Sequence, residues 1–228
     1  MTPSQVDAVT ALDARARATL GTSHDAIYRA LADALDARNL RGGTFVDVGC
    51  GRGDLRRFLG DRFDRYIGLD VVRYDELSAD VDFRAADLDA AVWPTAGVRG
   101  DIVAAVETIE HLENPWAFVR TLAALARPGG WVVVTTPNQL SALSLLTLAL
   151  KRRFSAFQDS MYPMHRTALL ESDLRRIAAA AGLARIDIIF TRHGRLPLSA
   201  APYPRALAHA WPRLCSDNVL VIGQRGDE

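Results

Sequence analysis

The chain has 228 residues, which is long enough for one domain with a single hydrophobic core and short for two. Its 27 lysines and arginines balance 27 aspartates and glutamates, so no overall basic field would attract nucleic acid or acidic lipid. A composition of 49% hydrophobic and 24% charged residues is that of a globular protein, not of a disordered, collagen-like or coiled-coil chain. We therefore predict one domain over residues 1–228 and do not expect a nucleic-acid partner.

The cysteines and the N-terminal segment indicate the cellular compartment. Cys50 and Cys215 lie far apart without the spacing of a metal site, which fits a reducing environment better than a disulfide scaffold. The first twenty residues include acidic side chains and lack the long apolar core of a secretory signal. No stretch approaches the roughly 20 apolar residues needed to span a bilayer. We therefore expect a cytoplasmic protein.

Strand and helix patterns alternate along most of the chain. Residues 1–40 are predicted to form an N-terminal helical cap, since Ile27, Leu31 and Leu35 recur at helical spacing. The predicted strands are 45–48, 66–70, 81–85, 102–105, 132–136, 185–190 and 219–223. The predicted helices between them are 54–59, 75–77, 115–126 and 171–181. This alternation predicts an α/β protein with a doubly wound, mostly parallel seven-stranded sheet and an antiparallel edge strand.

Residues 140–162 interrupt this alternation and are predicted to form a helical lid insertion. The run 140–150 is almost entirely apolar, but its roughly eleven residues are too few to span a bilayer. Because Lys151, Arg152 and Arg153 follow directly, residues 140–154 could also lie on an anionic membrane as a peripheral contact. The alternative is a helix buried against the sheet. Residues 192–211, rich in proline and aromatic residues, are predicted to form an irregular loop over the cleft, where Tyr203 and Trp211 could contact an acceptor.

The strongest local signal is a glycine-rich turn between the first strand and the following helix, Val46-Asp47-Val48-Gly49-Cys50-Gly51-Arg52-Gly53. Gly49 and Gly51 permit a tight turn and close backbone approach to a ligand, and Gly53 permits close helix packing. Asp70 ends the second strand, where its carboxylate can accept both ribose hydroxyls of an adenosine. Asp87 and Leu88 follow the third strand and suit the amine and the face of an adenine. The pattern predicts a nucleoside site at these strand ends.

These motifs resemble those of the class I methyltransferases, which use S-adenosylmethionine. The resemblance covers residues 44–138 and includes the turn, Asp70, Asp87 and the segment 125–131 that leads into the fifth strand. It implies a Rossmann-like methyltransferase fold, with Asp47 and the turn amides holding the methionine part of the cofactor. The cofactor-binding candidates are Asp47, Gly49, Cys50, Gly51, Gly53, Asp70, Val71, Asp87, Leu88 and Val106. The alternative is a nicotinamide-dependent dehydrogenase, although its third glycine would usually come three residues after the second.

Three interpretations compete for the polar stretch after the fourth strand. If this stretch is helical, Glu107, Glu110 and His111 share one face. In the first interpretation His111 is a general base, because the pKa of an imidazole lies near neutrality, while Glu107 and His165 complete the catalytic set. His165 lies in a turn resembling one that closes over the acceptor in small-molecule methyltransferases. A third interpretation is that these residues are solvated or only pack.

The second interpretation is a divalent-metal site. The Glu-x-x-Glu-His pattern resembles that of small-RNA 2′-O-methyltransferases and ubiquinone-pathway O-methyltransferases, in which a metal holds the hydroxyls of the substrate. The resemblance implies Glu107, Glu110, His111 and His165 as ligands, a mixed set that suits Mn, Fe or Zn better than Mg. We predict methyl transfer to a hydroxyl or amine of a small molecule. The alternatives are an RNA 2′-O-methyltransferase and a non-catalytic cofactor-binding module; the sequence indicates no oligomeric state.

Overall fold

The computed structural model describes residues 16–17, 19–199 and 201–227. Its framework is one sheet of seven strands in the order β3-β2-β1-β4-β5-β7-β6. The strands are β1 (Thr44–Val48), β2 (Arg65–Asp70), β3 (Asp82–Ala85), β4 (Gly100–Ala105), β5 (Ala126–Pro137), β6 (Leu183–Phe190) and β7 (Asn218–Arg225). Pairing from β3 to β5 is parallel, whereas β7 runs antiparallel to both β5 and β6. The mostly parallel sheet with antiparallel pairing at one end is thus confirmed.

Helices cover both faces of the sheet. They are α1 (Asp25–Asp36), α2 (Leu55–Leu59), α3 (Pro115–Leu125), α4 (Ala142–Lys151), α5 (Glu171–Ala180) and α6 (Arg205–Ala210), with short 3-10 turns at Ile109–His111 and Asp159–Met161. Buried residues of α1 and α2 pack on one face, and those of α3 and α5 pack on the other. Of the predicted cap, residues 1–15 and 18 lie outside the described residues, and its described part contains helix α1.

The central strands supply side chains to both hydrophobic cores. Along β4, Ile102 and Ala104 join the core under α1 and α2, whereas Val103 and Ala105 join the core under α3 and α5. This alternation follows from the two-residue period of a strand, and both faces are apolar because helices cover both. The strand order reverses between β1 and β4, which is where open α/β sheets bind ligands at the carboxyl ends of their strands.

Two local predictions are wrong. Residues 75–77 form turns instead of a helix, because a helix this short gains too few hydrogen bonds to offset its nucleation cost. The segment is instead held by tertiary contacts: Leu77 is buried beside Cys50, and the Tyr74 hydroxyl donates to the Ala16 carbonyl. Residues 192–211 are not wholly irregular, since they contain helix α6.

The predicted insertion contains one helix, but that helix is not buried. Within α4 only Ser144 is buried, and Leu145, Leu148 and Leu150 are exposed. The alternative of a helix buried against the sheet is therefore wrong. Among the described residues, no helix is both long and apolar enough to cross a membrane.

Candidate active site

A cavity of about 440 Å³ opens at the carboxyl ends of β1, β2 and β4. Its volume lies within the usual range for a site that encloses a small ligand. The glycine-rich turn forms one wall, residues 19–24 with Ile27 and Tyr28 form another, and Met161, Met164 and His165 close the far side. The N-terminal segment and the end of the insertion therefore both line the cavity over the strand ends.

The glycine-rich turn adopts backbone that other residues would strain. Gly49 has φ +74°, and a Cβ there would lie 2.3 Å from the Thr108 hydroxyl. Gly51 has φ +51°, and a Cβ there would lie 2.1 Å from the Gly21 carbonyl oxygen. That same carbonyl accepts a hydrogen bond from the Arg52 amide at 2.9 Å. Glycine is therefore required both for the turn and for the close approach of the N-terminal segment.

Asp70 is held in place by the backbone at the end of β2. Its carboxylate accepts the Gly51 amide at 2.9 Å and the Val71 amide at 2.7 Å. Burial raises the pKa of Asp70, and these two amide bonds oppose the rise by favouring the charged form. The carboxylate lines the cavity, so its remaining lone pairs can accept ribose hydroxyls.

Asp47 is a buried carboxylate beneath the turn. Burial raises its pKa to about 7, and a hydrogen bond from the Tyr66 hydroxyl opposes the rise. Its location on the cavity wall suits an ammonium group of a ligand, whose positive charge would stabilise the ionised form.

The other cofactor-binding candidates also lie on the cavity wall, with one exception. Asp87 and Leu88 follow β3, where the Asp87 carboxylate accepts the Asp89 amide at 3.0 Å. Cys50 also lines the cavity, but burial raises the pKa of its thiol, so it is not a reactive thiolate. The remaining candidates on the wall are Gly49, Gly51, Val71 and Val106. Gly53 does not line the cavity and belongs to the turn itself.

The two glutamates after β4 occupy different environments. Glu107 has φ +49°, and its carboxylate accepts the Thr135 hydroxyl at 2.8 Å and the Asn218 side-chain amide at 2.6 Å. Glu110 is 1% exposed and accepts the Thr136 hydroxyl at 3.2 Å. Burial, with the charge of Glu110, raises the pKa of Glu107 well above its usual value, and burial raises that of Glu110 to about 8.

His111 and His165 face each other across the cavity with their rings fixed. The His111 Nδ1 lies 2.9 Å from the Met164 carbonyl, and the His165 Nδ1 lies 2.6 Å from the Ala156 carbonyl. A carbonyl only accepts, so the Nδ1 of each ring carries the proton of this hydrogen bond. The ring centroids are 4.9 Å apart. Burial, with the nearby His111, lowers the pKa of His165 and keeps it neutral.

One group of side chains in the described part of the chain could hold a metal ion. It comprises Glu110, His111 and His165, which offer ligand atoms within 4.8 Å of one another. Glu107 lies outside this group, because its carboxylate is bonded to Thr135 and Asn218 instead. The expected common helix face does not form either, since only Ile109–His111 is helical.

Sequence reasoning missed the residues that support this site. Tyr66, Thr135 and Asn218 hold the carboxylates of Asp47 and Glu107. Each lies in a strand; for Tyr66 and Thr135 a polar side chain within a predicted strand was the available signal, whereas Asn218 precedes the predicted strand 219–223 and gave none. Tyr203 and Trp211, predicted to contact an acceptor, are not among the residues that line the cavity.

The model of a known family, described as methyltransferase domain, matches residues 22–188. The chain belongs to this family. It is a class I S-adenosylmethionine-dependent methyltransferase, and the family match decides against the dehydrogenase alternative. The match includes the glycine-rich turn, all of β1 to β5 and the pair His111 and His165.

Individual relatives agree with this assignment. A ubiquinone biosynthesis O-methyltransferase of Methylobacterium sp. is 36% identical over 116 residues, which are 47% of this chain and 46% of that protein. A probable S-adenosylmethionine-dependent methyltransferase of Mycolicibacterium smegmatis is 29% identical over 75% of this chain and 62% of that protein. The methyltransferase chain thus spans about half to two thirds of the length of these relatives. A methyltransferase structure from Archaeoglobus fulgidus, 14% identical, shares the fold with a TM-score of 0.61 over 87% of this chain and 94% of that chain.

Proposed function

We propose that the chain transfers the methyl group of S-adenosylmethionine to a hydroxyl group of a small molecule. The observation that carries this proposal is the pair of imidazoles, His111 and His165, each held through Nδ1 by a backbone carbonyl on the wall of the cofactor cavity. An imidazole placed beside the methyl donor is suited to take a proton from an acceptor hydroxyl. The related ubiquinone biosynthesis O-methyltransferase favours oxygen over nitrogen as the methylated atom, and an amine is the second candidate.

Asp47 and Asp70 orient the methyl donor in this proposal. Asp70, held by the amides of Gly51 and Val71, accepts the ribose hydroxyls. Asp47 faces the ammonium group of the methionine portion. The donor supplies a sulfonium methyl that is displaced in line, so these contacts act mainly by fixing the direction of attack.

His111 removes the proton of the acceptor. As the acceptor oxygen forms its bond to the methyl carbon, the carbon–sulfur bond breaks and the proton moves to Nε2 of His111. The Met164 carbonyl stabilises the resulting imidazolium, because it already accepts a hydrogen bond from the N–H at Nδ1. His165 remains neutral and accepts a hydrogen bond from a second polar group of the acceptor.

A divalent metal would fit the same side chains. The Glu110 carboxylate and the Nε2 atoms of His111 and His165 form a mixed oxygen and nitrogen set suited to Mn, Fe or Zn, with Mg less suited. Such a metal would supply Lewis-acid activation of the acceptor hydroxyl. The pKa of Glu110, raised to about 8, means that this carboxyl must first lose a proton, so metal affinity should increase with pH.

The RNA 2′-O-methyltransferase alternative shares this chemistry, but the chain as a whole has no net charge and so no overall basic field to attract RNA. The non-catalytic alternative accounts for the cofactor contacts, but leaves the paired imidazoles without a role. Transfer of a methyl group by this chain to any acceptor would exclude the non-catalytic alternative.

The test begins with calorimetric titration of chelator-treated protein with S-adenosylhomocysteine, before and after addition of Mn²⁺ or Mg²⁺. We expect binding that Asp70→Ala weakens, and a separate metal heat that Glu110→Gln abolishes if a metal is used. Absence of cofactor binding by folded protein would refute the proposal.

The second step measures S-adenosylhomocysteine release with a panel of hydroxylated aromatic, sugar, amine and RNA acceptors. We expect His111→Gln to lower kcat by about 10²–10⁴-fold with a hydroxylated small molecule. His209→Gln is the matched control, because its Nδ1 also bonds a carbonyl, that of Arg205, but its ring is exposed on α6. Turnover only with RNA would favour the RNA 2′-O-methyltransferase alternative. Equal activity of the His111→Gln and His209→Gln variants would show that His111 is not the base.

A further inference from the structure

Exposed apolar side chains concentrate on two segments, residues 138–158 and 188–216. Together they are less than a quarter of the chain, yet they carry seven of the eleven large hydrophobic residues that are exposed in the described part of the molecule. Six of these residues, together with the exposed unpaired cations of the same two segments, form what we call the apolar–basic surface. The six are Leu145, Leu148, Leu150, Leu207, Trp211 and Leu214. Exposed apolar side chains that concentrate in this way indicate an interaction site.

The two segments also carry an excess of positive charge. They contain seven lysines and arginines and no acidic residue, although the whole chain is neutral. Three of the cations pair with acids outside the segments, in Arg153–Asp159, Arg195–Asp217 and Arg213–Glu171. The other four are exposed and make no ion pair within the described residues; they are Lys151, Arg152, Arg192 and Arg205.

Direct contacts join the two segments in space. The Ala142 amide at the start of α4 donates to the Leu214 carbonyl at 2.9 Å. The Asn138 side-chain amide donates to the carbonyls of Arg213 and Ser216 at 2.7 and 2.8 Å. The start of α4 therefore lies beside the residues that follow α6, so the two segments form one continuous part of the molecule.

We infer that the apolar–basic surface binds the surface of an anionic lipid bilayer. Leucines and a tryptophan flanked by lysine and arginine are the composition of segments that lie in the interface of a membrane. Association with a second copy would place the same surface against itself, so unpaired cations would face cations with no acid to offset them. A bilayer with anionic headgroups offers the complementary charge and an apolar interior together.

Docking here would place the acceptor side of the cavity close to the lipid. The chain runs from α4 through the turn Asp159–Met161 to Met164 and His165, which line the cavity. An amphiphilic acceptor could then pass from the bilayer to His165 without crossing bulk water. This last step depends on the proposed function, whereas docking itself does not.

The experiment is vesicle flotation of the full chain with phosphatidylcholine vesicles, with and without phosphatidylglycerol. We expect binding only when the anionic lipid is present, and weaker binding at high salt. The double substitution Lys151→Gln with Arg152→Gln should weaken binding about 25-fold, because each cation contributes about fivefold. The matched control is Arg120→Gln with Arg185→Gln, two exposed arginines outside the surface, which should leave binding unchanged.

A second pair of variants tests the apolar contribution. Leu148→Ser with Trp211→Ser should weaken binding by about tenfold or more for each side chain, whereas Val92→Ser with Trp116→Ser, also exposed, should not. Circular dichroism and thermal melting of all variants verify folding. Failure of the wild type to float with anionic vesicles overturns the inference, as does equal weakening by the control pairs. Sedimentation showing a dimer that Trp211→Ser dissociates, without lipid binding, would instead assign the surface to a second copy.

Discussion

The charge state of Asp47 should make cofactor affinity depend on pH near neutrality. Burial raises the pKa of this carboxyl to about 7 in the free protein. A ligand ammonium beside it would stabilise the ionised form, so its pKa in the complex falls. Binding of S-adenosylhomocysteine must therefore release a proton below about pH 7, and affinity should rise with pH.

The size of the effect follows from the ionised fraction. With a pKa of about 7, roughly one tenth of Asp47 is ionised at about pH 6 and roughly nine tenths at about pH 8. Affinity should therefore increase about tenfold between these values, equivalent to about 1.4 kcal/mol. Tyr66→Phe removes the hydrogen bond that lowers the pKa, so the midpoint of this rise should move to higher pH.

Calorimetry in two buffers with different ionisation enthalpies measures both the affinity and the released proton. Asp47→Asn is the decisive variant, because it preserves the shape of the side chain but cannot ionise. Its affinity should be independent of pH between about 6 and 8 and weaker than that of the wild type at the upper value. Wild-type affinity that stays constant over this range, or a pH dependence that survives in Asp47→Asn, would refute the reasoning.

The same shift predicts how Asp47 affects folding. Its pKa is raised in the folded protein, so stability is greatest below the unfolded value of 3.8 and is lost as pH rises through about 7. A difference of roughly three pKa units corresponds to about 4 kcal/mol, so Asp47→Asn should raise the melting temperature of the ligand-free protein at about pH 8.

Three further predictions concern other parts of the site. Asp70→Ala should weaken S-adenosylhomocysteine binding by at least about tenfold, since it removes charged hydrogen-bond acceptors, whereas unchanged affinity in calorimetry would place the ribose elsewhere. Gly51→Ala should lower the melting temperature and the cofactor affinity more than Gly60→Ala, because both have positive φ but only the first Cβ would meet another atom; equal effects would argue against close contact with the N-terminal segment. Burial raises the pKa of Glu110, so stability should fall as pH rises toward about 8, and Glu110→Gln should flatten that dependence in thermal melts.

Much of the cofactor half of the site could be predicted from sequence because its signals are local. A strand, the glycine-rich turn and a helix follow one another between Thr44 and Leu59. The conformation of the turn can therefore be predicted from residues adjacent in the sequence. Asp70 could be placed because parallel strands end at the same edge of a sheet. The same local approach failed at residues 75–77, which were predicted as a helix, because distant contacts determine the backbone there.

The catalytic half depended on contacts between residues far apart in the chain. Asn218 bonds Glu107 across 111 positions, and Met164 orients His111 across 53. These contacts hold the Glu107 side chain away from Glu110, so that only Glu110 lies beside the two histidines. The spacing of the residues in the motif could not predict this difference between the two glutamates. The sequence likewise showed that α4 is apolar, but its burial depended on what packs against it.

The sequence by itself determined the class of fold and the cofactor motif, since hydrophobic period, turn residues and strand-end acids act over a few neighbouring positions. Only the tertiary structure decided which carbonyls hold the two imidazoles, which carboxyls have a raised pKa and which apolar helix stays exposed. Those properties arise from burial and from partners supplied by distant segments, and burial exists only after the chain has folded.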